Sequence, residues 1–346
     1  MKNGRIFLLR LFLANLFLTV CLIMPVSALA DSYKVTQPTT LTWVAGGVGG
    51  GWYVQAGGIA RMIAEKEPNL ILKVVPGGGV VNPVRVSNHK DDLGWGITFV
   101  DKMALKGLPP VYKKPNPDVR ALGGIFGIYH IHVLGAADKG VTTMGQLADM
   151  VKAGKKIRVA APMKGTSDLP LMNTILDFYG ISLKEIDKAG GKIFHAVYSD
   201  MVNLYKDKHV DFVFTHLGLP GAAVTEMTVS RDSSLIPLSG GCIDHLNSEL
   251  GTLSRDSGRS FMPKGTYKGQ DADIPTVVSA GELIINKNVP DNVAYTIIKI
   301  ICENTEELYK INPANKNFKP ETGWKNVALP LHTGAAKYYK DAGLMK

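Results

Sequence analysis

The sequence predicts an α/β protein of two lobes, each an open, mostly parallel sheet flanked by helices. Three observations predict it. Short apolar, β-rich runs alternate with stretches of helical spacing along most of the chain, the pattern of parallel sheets with crossover helices. The length, 346 residues, suffices for two units of ordinary size. The turns after four predicted strands are glycine-rich or polar: Gly46–Gly51, Pro76–Gly79, Pro162–Asp168 and Thr215–Pro220, two from each half. Ligands of such sheets bind beyond the carboxyl ends of strands, so a cleft between two lobes brings all four turns together.

The N-terminus stands apart. Lys2, Arg5 and Arg10 lie ahead of or inside an apolar run that reaches Met24, and Ala28-Leu29-Ala30 gives an A-x-A cleavage pattern before Asp31. Residues 1–30 therefore read as a secretory signal peptide, and Val20 before Cys21 argues against a lipoprotein signal. The mature chain is expected in the periplasm. The formal net charge is +9, and loss of those three cations leaves +6. The basic residues are scattered, and the densest cluster (Lys155, Lys156 and Arg158) reads as a solvated turn, which argues against a nucleic-acid partner. A mild positive charge favours a small anion. After processing, Cys242 and Cys302 remain; their spacing resembles no zinc site, and export would permit a disulfide between them.

The stretch Leu41–Lys66 organises the rest. Leu41–Ala45 is a strand, Gly46, Gly47, Gly49, Gly50 and Gly51 form a turn, and Ala56, Ile59, Ala60 and Ile63 mark one face of a helix opening at Trp52. Glycines let backbone N–H groups approach a ligand, and the first helical turn offers unpaired donors in a favourable dipole, so this is an anion site. Trp52 and Tyr53 flank its mouth. The plainer reading is a tight βα turn with two core aromatics. Leu70–Val75 is a second strand, followed by Pro76–Gly79 and a helix over Val80–His89. There Asn82 either caps the helix ahead of Pro83 or faces a ligand. Leu93–Phe99 is a third strand, Asp101–Lys106 a short helix, and Leu122–Leu134 a buried strand.

The second half repeats the alternation. Thr143 and Gln146 form a capping box for a helix to Val151. Ile157–Ala161 is a strand, then a polar turn and a helix to Phe178. Ile193–Val197, Val210–Thr215 and Leu235–Leu238 are strands, with Asp200–Lys206 helical. Gly240–Asp273 has weak periodicity and is too long for an idle loop, so it is expected to cover something. Val277–Asn286 is a strand, Pro290 opens a helix to Glu303, and Leu329–Gly343 is the last helix. The lobes are expected at 31–134 with 275–346, and at 135–274.

Chemistry is sparse. The dinucleotide pattern G-x-G-x-x-G fails, because the third glycine falls on Trp52 or Val54. Gly165-Thr166-Ser167-Asp168-Leu169 approaches G-x-S-x-G but lacks its final glycine. His130 and His132 share a strand face without an evident third metal ligand. No nucleophile–base constellation stands out, so a catalytic role, a cofactor and a metal are not expected. The alternatives are a periplasmic hydrolase using Ser167 or a metal-dependent enzyme using His130 and His132.

Five segments carry a resemblance: GGVGGGWYVQAGGIARMI, VVPGGGVVNPVR, KHVDFVFTHLGLPGAA, FMPKGTYKGQDADIPTVV and LPLHTGAAKYYKDAGL. In that order, from about Leu41 to Leu344, the chain resembles the TAXI-type solute-binding receptors of TRAP transporters. The resemblance implies a type II-like periplasmic-binding fold joined by hinge strands. It also implies capture of a small carboxylate or amino acid, such as glutamate, glutamine or 2-oxoglutarate, and delivery to TRAP membrane permease subunits. The same receptor coupled to a sensor kinase is the variant reading. The chain carries Gly79 where the family often has Ser, Met163-Lys164-Gly165-Thr166 for its G-S-G-T turn, and Thr98 where a glutamine or asparagine is common. The expected ligand contacts are Gly46, Gly47, Gly49, Gly50, Trp52, Tyr53, Asn82, Thr98 and Asp101 in one lobe. Lys164, Gly165, Thr166, Ser167, Thr215 and Gly218 face them from the other. Asp101 either meets an ammonium or caps a helix, and Lys164 either faces the cleft and offers a ligand carboxylate a charge-assisted bond of roughly 1.5–3 kcal/mol or is a solvated lysine beside it.

Overall fold

The chain opens with β1 (Thr39–Val44), α1 (Gly51–Lys66), β2 (Leu70–Val75), α2 (Asn82–Ser87), β3 (Leu93–Ile97) and α3 (Thr98–Lys106), then enters the 18-residue strand β4 (Val119–Ala136). Next come α4 (Met144–Lys152), β5 (Arg158–Pro162), α5 (Asp168–Phe178), α6 (Leu183–Lys188), β6 (Lys192–Ala196), α7 (Tyr198–Lys206), β7 (Phe212–Leu217), α8 (Ala222–Ser230), β8 (Ser233–Leu235) and α9 (Gly240–Leu250). A hairpin of β9 (Phe261–Met262) and β10 (Ile274–Pro275) leads to β11 (Val278–Asn286), α10 (Asp291–Glu303) and α11 (Thr333–Asp341), with shorter helical pieces before α11. This computed structural model describes residues 34–48, 50–253 and 257–346. The expected signal peptide and Gly49 lie outside the described residues. Among those residues, no helix is long and apolar enough to cross a membrane.

β1 pairs in parallel with β2 and β3, and β5 in parallel with β6 and β7. The sequence predicts two separate sheets; the structure joins them into one path, β2-β1-β3-β11-β4-β7-β5-β6. The reason is the length of β4. Its first part runs antiparallel to β11, from Val119↔Asn286 to His130↔Val278, and its last part runs antiparallel to β7, from His130↔Leu217 to Gly135↔Phe212. β4 thus belongs to both lobes, with parallel pairing on the flanks and antiparallel pairing at the junction. Near the junction β4 bulges against β11, and Ile125 there takes φ 60°. A β-branched residue adopts that region only under constraint.

Each lobe has its own apolar centre. In the first, α1 buries Ala56, Ile59, Ala60 and Ile63 over Trp43 and Trp95. The helix ends at Lys66 because Pro68 bars its continuation. Phe126 stacks on Phe318 with ring centroids 4.4 Å apart. In the second, Val159, Leu171, Ile175, Phe212 and Phe214 pack together with Phe99, Val100 and Met103 of α3. Burial of each such side chain contributes about 1.5–3 kcal/mol. α3 follows a strand of the first lobe yet feeds the core of the second, so it lies between them.

Several local expectations meet their atoms. Both bonds of the Thr143–Gln146 capping box are present at α4. Gly240–Asp273 departs from expectation, for it holds a true helix, α9, capped by the Ser239 hydroxyl. Its buried Cys242, Ile243, Leu246 and Leu250 have helical spacing, a signal diluted by the polar residues between them. Cys242 and Cys302 are both free and lie in the cores of different lobes, so no disulfide joins them.

Candidate functional site

β1 and β2 end side by side, with Val44 opposite Val75, so their turns are neighbours. The Gly77 N–H donates to the Gly46 carbonyl at 3.1 Å, and the Gly50 N–H donates to the Gly47 carbonyl at 2.9 Å. Gly50 is the N-cap of α1. The N–H groups of Gly51 and Trp52 then open the helix without helical acceptors, at the positive end of its dipole. Gly46 has no room for a side chain that would not press on Trp52, whose Cβ would be 3.0 Å away.

The facing turn follows β5. Gly165 takes φ +90°, and its carbonyl accepts the Val80 N–H at 3.0 Å. The lobes therefore touch backbone to backbone. Glycine is what allows it. A Cβ on Gly78 would lie 2.8 Å from the Gly165 oxygen, and one on Gly79 would lie 2.8 Å from the Ser167 Cβ.

A run of side chains crosses the same junction. Trp52 Nε1 donates to the Tyr129 hydroxyl at 2.7 Å, and the Tyr129 ring meets His216 edge-on with centroids 5.8 Å apart. His216 Nε2 pairs with Ser279 Oγ at 2.8 Å, while its Nδ1 lies 3.9 Å from Asp168 Oδ1. Asp168 accepts from the Tyr198 hydroxyl, and from Ser167 Oγ at 3.4 Å. The run passes from α1, through β4, β7 and β11, to α5 and α7. Burial pushes the Asp168 carboxyl up to about 6, against the pull of the Tyr198 and Ser167 hydrogen bonds. Burial also pushes His216 down to about 3, so it stays neutral at pH 7. Tyr129, Asp168, Tyr198, His216 and Ser279 escaped the sequence reading. Only Asp168 carried a local signal, as an acid opening a helix after a polar turn.

The expected contact residues divide. Gly46, Gly47, Gly50 and Trp52 lie together at the opening of α1, and Gly165, Thr166 and Ser167 lie against the neighbouring turn at Gly78–Val80. Thr98 is half-buried at the start of α3, Gly218 half-buried just after β7, and Lys164 exposed. Tyr53 is half-buried against the first lobe's own core. Asn82 and Asp101 are 0% exposed and present no side chain to the cleft. The Asn82 amide is spent on backbone, donating to the Ala45 and Trp95 carbonyls and accepting the Gly78 N–H. Asp101 faces inward to Glu282. Thr215 stands opposite His132 in the β4–β7 register. Residues directly opposed share a face while neighbours alternate, so Thr215 points away from His216 and Tyr129. On that far face His132 Nε2 pairs with the Tyr267 hydroxyl at 2.8 Å. Burial pushes His130 down to about 4 and His132 to about 3. Among the described residues, no group of three or more His, Cys, Asp or Glu is placed to hold a metal ion.

Two solved structures are similar in fold. The periplasmic binding protein BugD has a TM-score of 0.50 and 14% identity, over 90% of this chain and 99% of its own. MatC from Rhodopseudomonas palustris, solved with bound malate, has a TM-score of 0.54 and 11% identity, over 88% of this chain and 96% of its own. The fold is thus that of the two-lobed periplasmic binding proteins. The model of the NMT1-like family matches residues 44–343, nearly all of the two lobes. The chain belongs to the NMT1-like family.

Proposed function

We propose that this protein is an extracytoplasmic solute receptor, held in the periplasm, that captures a small carboxylate between its lobes and hands it to a membrane permease. The observation that carries this reading is the Val80–Gly165 backbone contact, flanked by glycines at 78 and 79. It is a seam fitted for two lobes to shut on. The ligand carboxylate rests on the Gly46–Gly50 turn and the first N–H groups of α1, with Trp52 and Tyr129 as its apolar wall. Thr166, Ser167 and Gly218 close from the other side. Closure needs contacts made only in the shut state, since a ligand shifts an equilibrium no further than its differential affinity. The five-segment resemblance supports the finer reading: a TAXI-type receptor for a glutamate-, glutamine- or 2-oxoglutarate-like solute, serving a TRAP permease.

Mass spectrometry of the small molecules released from purified protein, followed by thermal unfolding against a panel of small carboxylates, tests the reading. One solute is expected to stabilise the chain stoichiometrically, by about 2.7 kcal/mol at a hundredfold excess over its Kd, and to be recovered unchanged. Accumulation of a product would overturn it.

Lys164 has a smaller part than the sequence implies. It is exposed, and exposed ion pairs contribute about 0–1 kcal/mol. Lys164→Ala is expected to weaken binding of the identified solute by up to about fivefold in a calorimetric titration. Unchanged affinity would remove Lys164 from the site.

A further inference from the structure

The first lobe holds a pair of acids that the cleft does not use. Glu282 on β11 stands opposite Gly96 of β3 and Gly124 of β4, so neither neighbour puts a side chain beside it. Asp101 of α3 occupies the space over Gly96, where a Cβ would lie 2.0 Å from Asp101 Oδ2. Both acids are 0% exposed. Glu282 Oε2 accepts the Ala328 N–H at 2.9 Å. Glu282 Oε1 and both oxygens of Asp101 find no donor among the described residues. Two ionised carboxylates do not persist in so dry a space without a neutralising partner.

We propose that Asp101 and Glu282 share one proton, and that this proton holds α3 where the two lobes meet. α3 is placed to transmit it. Phe99, Val100 and Met103 sit in the core of the second lobe, while Asp101 ties the helix to β11. In the loop beyond α3, the Tyr112 hydroxyl donates to the Val80 carbonyl at 2.7 Å, and the Val80 N–H makes the contact to Gly165. The acid pair therefore lies beneath the seam between the lobes. With the proton in place, one carboxyl donates to the other, and the pair carries one negative charge instead of two. Without it, like charges push α3 from β11.

Among the described residues, the surroundings do not offer another counter-charge. β3 and β4 face the pair with glycines, and the strap at 326–328 with a backbone N–H. Lys102 and Lys106 on α3 are exposed. Tyr112 is the titratable neighbour, raised by burial and then by the charge of Asp101. Asp101 is raised well above the ordinary carboxylate range by burial and then by Glu282; Glu282 is raised by burial. In the unfolded chain both acids ionise near pH 4. Above that pH the folded state binds one more proton than the unfolded, so stability falls as pH rises. The folding equilibrium constant drops about tenfold per pH unit from about pH 5 towards neutrality, and flattens once the pair itself ionises.

The test is denaturation of the mature chain from pH 5 to 9 for wild type, Asp101→Asn and Glu282→Gln. An amide N–H replaces the shared proton permanently, so each variant is expected to lose that tenfold-per-unit component relative to wild type. Hydrogen exchange in wild type, corrected for its intrinsic pH dependence, is expected to show residues 78–82 losing protection as pH rises from 6 to 9. A variant with the wild-type slope would overturn the proposal. So would constant protection of residues 78–82, which decides the matter even if neither variant folds. A rise in the wild-type midpoint at pH 8 on adding calcium or sodium, absent in both variants, would assign the pair to a cation instead.

Discussion

Gly78→Ala is expected to weaken solute binding by about 10–100-fold while lowering the unfolding midpoint of the ligand-free protein less than Gly77→Ala does. The added Cβ would lie 2.8 Å from the Gly165 carbonyl oxygen, and that oxygen already accepts the Val80 N–H. Its obstacle is backbone of the opposite lobe, which has no rotamer to swing aside. Overpacking of this kind costs about 1–3 kcal/mol, and the cost falls only on the state in which the lobes touch. Gly77 is the control. A Cβ there would lie 2.2 Å from Asn82 Oδ1 and 2.4 Å from Val44 Cγ2, inside a single lobe, so Gly77→Ala is expected to lower stability instead. Calorimetric titration and small-angle scattering with solute present separate the two. Wild-type affinity in Gly78→Ala would mean that the seam is not part of the bound state.

Asn82→Ala is expected to lower the free energy of unfolding by about 3–5 kcal/mol, read from the urea midpoint. The side chain makes three bonds, all to backbone: to Ala45 at 2.7 Å, to Trp95 at 2.8 Å and from Gly78 at 2.8 Å. Removing it strands two carbonyls and one N–H in a buried place, at about 1–3 kcal/mol each before relaxation. That is a large share of the total stability of an ordinary domain. Asn82→Asp keeps the acceptor and sets a carboxylate against two carbonyls, so it is expected to be damaging as well. Weakened solute binding with an unchanged midpoint would restore Asn82 to the ligand.

These two sites show how much of the cleft was legible in the chain. Gly46–Gly51 and Pro76–Gly79 were readable as strand-ending turns, because glycine runs and strand periodicity are local properties. What each glycine is for was not readable. Gly78 and Gly79 face the other lobe, Gly77 faces Asn82, and Gly96 makes room for Asp101, yet in the sequence all four are simply glycine. Asn82 and Asp101 looked like polar residues near a cleft. Burial turned both inward, and burial depends on what covers a residue, which for Asp101 includes Glu282, far along the chain.

The chain by itself determined the alternation of strands and helices, the four turns at strand ends and the capping box at Thr143, since each follows from neighbours within a few residues, and the order of five segments along it carried the likeness to two-lobed receptors. Only the tertiary structure decided that β4 serves both lobes, that α3 bridges them, that Thr215 and His216 lie on opposite faces of the sheet with His216 against Tyr129, and that Asp101 meets Glu282. Those outcomes rest on register and packing between distant segments: shifting a strand by one residue exchanges its faces, and local pattern does not specify which distant segment lies against it.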